Sequence, residues 1–226
     1  MLEIIKGENI WFKVPVEQSG KEKRTTHGRN EFRSARLSRV TYTDRTSEDF
    51  QIIRGSIAWP RVGIPGLILV GGIPCGGDVE TIKVLEEAEF HTLPECRKIL
   101  DAYAGKYNET LYCVYYQNVP ESEGFVNYLV SGDKSRQKPW LKVAPYTESI
   151  DYNLQLVNSH LAAQTLKVPG EGLLATQLQA RWDATSNEKD LFSVIALASL
   201  ISGMQARFDG MFSEDTMENL PEFPLD

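Results

Sequence analysis

From Phe50 onward the chain alternates between two kinds of apolar pattern. Phe50 to Trp59 (FQIIRGSIAW) reads as a strand closed by Pro60, and Gly66 to Ile73 (GLILVGGI) is a nearly continuous apolar run between glycine and proline breakers. A run of that kind predicts a strand buried on both faces. Thr81 to Phe90 is a third strand, although its Glu-rich middle also fits a helix. The pattern then changes period. Thr92 is placed as an N-cap, with Pro94 in the first turn and Glu95 completing a capping box. Leu93, Cys96, Ile99, Leu100 and Tyr103 make one apolar stripe, and Gly105 is placed to end the helix. Thr110 to Tyr116 (TLYCVYY) is the strongest strand, rich in aromatic and β-branched residues. Glu123 to Val130 predicts a short helix or turn, and Leu141 to Ala144 a strand. Ser149 caps a helix striped by Ile150, Leu154, Val157 and Leu161, and Thr165 to Val168 is a short strand closed by Pro169. Gly172 to Trp182 is helical. A long apolar helix follows from Asn187 to Phe208, with Asp190 at its mouth.

Ahead of this body, Asn9 to Val16 reads as one strand, and the polar, basic stretch 19–36 as a loop or arm. The expected division is therefore an N-terminal strand and basic arm over 1–49, an α/β domain over 50–208, and an acidic tail over 209–226. The order within the domain, β-β-β-α-β-α-β-α-α, points to a mixed sheet with helices on its faces. Three strands before the first helix is the order of a ribonuclease H-like sheet, not of a doubly wound dinucleotide fold.

Composition narrows the class without naming a function. Of 226 residues, 42% are apolar and 24% charged, the balance of an ordinary globular protein. No apolar run approaches the roughly 20 residues of a membrane span, so no membrane partner is expected and the expected location is the cytoplasm. The N-terminus MLEIIKGENIWFKV does not read as a signal peptide. Three cysteines, Cys75, Cys96 and Cys113, lie in or beside apolar segments and predict reduced thiols. The net charge of −7 hides an asymmetry. Between Lys21 and Arg45 eight basic residues face three acids, with Arg24, Arg29, Arg33, Arg36 and Arg39 as candidate phosphate contacts. Residues 209–226 carry six acids and no base. Two solvated flanks that pair with each other account for the same charges.

Several chemistries are excluded by missing partners. The loop GGIPCGGD (Gly71 to Asp78) lacks the lysine and the Ser/Thr of a P-loop and reads as a strand connection. Cys75 has no local signature of a nucleophile, and no GxSxG elbow is present. His27, His91 and His160 are scattered singly, so a zinc site is not expected. Glu86, Glu87 and Glu89 read as a solvated strand edge. Two-metal phosphodiester cleavage requires several converging carboxylates. Asp190, with Glu188 beside it, is the candidate catalytic and metal-ligating acid; Asp44 and Glu121 are the other acids such a set draws on.

Over about Phe50 to Arg207 the chain resembles the ribonuclease H-like nuclease domain of the large terminases of tailed phages. Three segments carry the likeness. GSIAWPRVGIPGLILVGG resembles the family's first hairpin, LYCVYYQNVPESEGFVNYL its fourth strand and turn, and KDLFSVIALASL its closing acidic motif. The resemblance implies duplex DNA as partner, Mg²⁺ or Mn²⁺ if the chain is active, a neighbouring packaging ATPase or other phage assembly protein, and the cytoplasm of the host cell. It also implies acids near Ala58, near Tyr115 or Tyr116, and in a closing Asp pair. Here Ala58 and Tyr116 stand at the first two positions, and Lys189 beside Asp190 at the third. The expectation is a packaging component whose nuclease site is degenerate and which acts by binding DNA or protein. An active Mg- or Mn-dependent endonuclease with an unusual acid set, and a protein–protein module without a nucleic-acid role, are the alternatives.

Overall fold

The computed structural model describes residues 3–15, 32–76, 81–131, 141–144, 150–183 and 192–211. Their strands form one mixed, mostly antiparallel sheet of eight, accompanied by five α-helices. Strands β1 (Ile4–Pro15), β2 (Phe32–Tyr42), β3 (Ser47–Ala58), β4 (Gly66–Pro74) and β5 (Ile82–Phe90) run antiparallel in chain order. The sheet then gains three parallel pairings. β6 (Leu111–Tyr116) lies beside β3, β7 (Leu141–Val143) beside β6, and β8 (Leu166–Lys167) beside β5.

Five strands thus precede the first helix, where the sequence pattern led to three within the domain and one before it. The stretch read as loop or arm up to Arg36 is strand from Phe32 onward. Its pattern is interrupted by basic residues, and from Leu37 back to Phe32 it pairs with β1 alone. After residue 50 the structure includes the helix–strand pair Ser122–Val130 and Leu141–Val143, which the local patterns indicate but the nine-element order leaves out.

β3 organises the sheet. β4 pairs along it from Phe50 to Ala58. Its other edge is divided: Ser47–Phe50 pairs with β2, and Ile53–Ile57 with β6. β4 is buried from Gly66 to Ile73, as a strand covered on both faces must be. On one face α1 (Leu93–Tyr107) and α2 (Ser122–Val130) pack over Ile53, Ile57, Ile68 and Phe90. α1 begins at the expected capping box, in which the Thr92 side chain accepts from the Glu95 amide and Glu95 accepts from His91 and Thr92. Those amides, His91 first, hold the Glu95 carboxyl below its usual range.

On the opposite face lie α3 (Ile150–Ala162), α4 (Leu173–Asp183) and α5 (Phe192–Met211). α5 is buried at every residue from Ser193 to Met204, which explains an apolar sequence without a polar stripe. Its Gly203 lets the helix approach β6. A Cβ there would stand 2.1 Å from the Tyr115 ring.

Candidate functional site

The carboxyl ends of β3 and β6 and the first turn of α5 meet at one place. β3 stops because Pro60 follows Trp59, and the chain reverses through a tight hairpin in which Arg61 and Ile64 exchange backbone hydrogen bonds of 3.0 and 2.9 Å. Gly63 supplies the left-handed conformation of that turn, at φ 74°. Trp59, Gln117 and Ile195 surround a cavity of only about 20 Å³. The Trp59 ring lies 5.5 Å from Tyr116 and 5.2 Å from Phe125 of α2, so aromatic packing fills the space between the strand ends and α2. Ala58, 1% exposed, packs into the core on the α5 side.

These side chains do not suit a pair of hard divalent cations, which take carboxylate and water oxygens. A methyl, an indole, a phenol and one carboxamide stand at this convergence. Among the described residues no three His, Cys, Asp or Glu side chains converge as a metal site. Asp190, Glu188 and Lys189 lie outside the described residues. Asp44 and Glu121 do not come together. Asp44 sits in the turn before β3, where its Oδ1 accepts from the Thr46 amide and hydroxyl at 2.9 and 2.6 Å, and Glu121 is exposed beyond the far end of β6. Because β3 and β6 are parallel, the two acids occupy opposite ends of the pair, roughly 30 Å of strand apart.

The three acids of the β5 run have structural partners in two cases. Glu86 accepts from Lys106 at 2.8 Å and from the Tyr107 hydroxyl at 3.0 Å. Glu87 accepts from the amides of Leu173 and Leu174 at 2.7 and 3.0 Å, closing the N-terminus of α4. The cysteines are free. Burial pushes the Cys96 thiol up to about 12 and also raises Cys75 and Cys113, so none is poised as a thiolate. On the α5 face, Arg54 is 2% exposed and donates to the Ile53 carbonyl at 2.8 Å. It also hydrogen-bonds Tyr115, whose phenol is pushed up to about 12, chiefly by burial.

The second feature is the β1–β2 ribbon. β2 meets β3 only over Ser38 to Thr41, whereas β1 pairs with β2 out to Pro15 and Phe32. The ribbon therefore extends six residues beyond that contact, from Leu37 to Phe32. Trp11, opposite Arg36 in the register, is 63% exposed, and the Arg36 guanidinium lies 5.7 Å from its ring centre. Arg39 forks onto Asp49, with Nε and Nη2 at 2.7 and 2.8 Å from the two carboxylate oxygens. That pairing holds the Asp49 carboxyl below its usual range, so the Arg39 charge is met within the sheet. The Arg33 backbone is in β2, but its side chain lies outside the described residues, as do Arg24 and Arg29 entirely.

No family model, curated protein or solved structure matches this chain. The candidate site therefore stands on its geometry alone. Among the described residues no helix is long and apolar enough to cross a membrane. Sequence reasoning missed Trp11 and Asp49. Trp11 is marked only by its position opposite an arginine, and Asp49 only by the β2–β3 register; neither is visible without the strand pairing.

Proposed function

We propose that this chain is a DNA-binding component of phage DNA packaging, with a ribonuclease H-like core that acts by binding and not by two-metal cleavage. One observation carries the reading. The three places from which the resembled terminase nucleases draw their acids (first strand, end of the fourth strand, start of the last helix) correspond here to β3, β6 and α5, which converge. At that convergence stand Ala58, Trp59, Tyr116 and Gln117. The three antiparallel strands β3 to β5 before α1 and the parallel addition of β6 and β7 also suit this fold. The ribbon, with Arg36 beside exposed Trp11, offers the surface for duplex phosphates. A packaging ATPase is the partner this reading implies, and the host cytoplasm the place.

Two measurements on the full chain test it. Plasmid incubated with Mg²⁺ or Mn²⁺ stays intact, and duplex DNA binds with an affinity that falls as salt rises. Arg36→Glu weakens that binding without lowering the melting temperature. Cleavage that disappears in Asp190→Ala replaces this reading with that of an active nuclease. Absence of duplex binding removes the nucleic-acid role.

A further inference from the structure

A second, larger cavity lies at the opposite end of the sheet, under the β2–β3 turn and against the β5–β8 pair. Its volume is about 530 Å³, within the range that holds small organic ligands. Lys83 and Lys167 line it and are register partners on parallel strands. Partners in register project to the same face from strands about 4.8 Å apart, so two ammonium groups are held at one wall. Glu48 is the one carboxylate in that lining. It is already engaged: its Oε2 accepts from the Tyr42 hydroxyl at 2.8 Å and takes the Lys83 ammonium. Among the described residues Lys167 has no acidic partner. One positive charge is left over in a cavity whose lining on the same face includes Tyr42 and Leu85, with Pro169 and the polar Thr46 and Ser47 beside them.

We propose that this cavity binds a phosphate monoester, with the phosphate between Lys83 and Lys167 and the attached organic group against Tyr42, Leu85 and Pro169. Lysine binds phosphate as a point charge, which suits two flexible ammonium groups without an arginine fork. The phosphate displaces part of the Glu48 contact to Lys83, and Glu48 therefore competes with the ligand. The ester is supplied either by a free nucleotide or by the 5′ end of a DNA strand; the chemistry at the lysines is the same.

Calorimetric titration of the full chain distinguishes these cases. The probes are AMP, adenosine, and a short oligonucleotide with a 5′-phosphate or a 5′-hydroxyl. AMP binds and adenosine does not. Lys167→Ala weakens AMP by about tenfold, the loss of one charge-assisted contact, with an unchanged circular dichroism spectrum. Glu48→Gln strengthens AMP binding, a direction that a generic packing role for Glu48 does not produce. A preference for the 5′-phosphorylated over the 5′-hydroxyl oligonucleotide, lost in Lys167→Ala, assigns the source to a DNA end. Equal binding of the two oligonucleotides assigns it to a free nucleotide. The proposal is overturned if AMP fails to bind at millimolar concentration, if adenosine binds as well as AMP, or if Lys167→Ala leaves the affinity unchanged.

Discussion

Glu87 illustrates how one residue acquires its role from a partner 86 positions away. In the sequence it is the middle of an acidic run; in the fold its two oxygens cap α4, beside Gly172 at φ 123°. A carboxylate at a helix N-terminus satisfies free amides and meets the positive end of the dipole. Glu87→Ala is expected to cost about 1 kcal/mol in urea unfolding, the usual loss of a helix cap. Gly172→Ala destabilises as well, because the conformation is unfavourable for any side chain and a Cβ would stand 2.1 Å from Glu87 Oε1. His160 gives a pH signature. Its Nδ1 is 2.8 Å from the Thr165 hydroxyl, and burial lowers its pKa. A group whose folded pKa is depressed leaves the unfolded chain binding the proton first, so stability falls as pH drops below about 6.5. Melting temperatures of wild type and His160→Gln between pH 8 and 5 check this; the variant should show the flatter profile. The Glu87 pairing is not legible from spacing, because the sheet alone brings β5 beside the start of α4, whereas the His160–Thr165 contact is local, five residues apart.

At the scale of elements the sequence is more transparent. β4, β6, α1 and α5 follow from local patterns that tertiary packing reinforces: a two-face apolar strand, an aromatic strand, a capping box and a helix apolar all round. β2 escapes that logic because basic residues interrupt its pattern and its outer half pairs with β1 alone. α5 also carries a test with a counterintuitive sign. Replacing a mid-helix glycine by alanine normally stabilises by about 0.5–1 kcal/mol. Gly203→Ala is expected to do the opposite, by about 1–3 kcal/mol, because Tyr115 lies in the way. Combining it with Tyr115→Leu should recover much of the loss, and denaturant midpoints of the single and double variants measure the coupling.

For the whole molecule, the two ends of the sheet differ in kind. One end gathers the positions that the family resemblance singles out and fills them with aromatic packing; the other holds an open cavity with surplus positive charge. The resemblance named segments and their order, but the cavity arises where a turn, a two-residue strand and a distant lysine meet, and no local pattern announces it. The divided edge of β3 has a dynamic consequence. β6 meets β3 over four residue pairs and is also paired with β7 and covered by α5, while β2 meets β3 over four separate pairs. Opening of the β2–β3 pairs frees that edge of β3 and leaves the β3–β6 pairing in place. Amide hydrogen exchange should therefore be biphasic along β3, fast at Ser47–Phe50 and slow at Ile53–Ile57, with a single strand reporting two independent opening events.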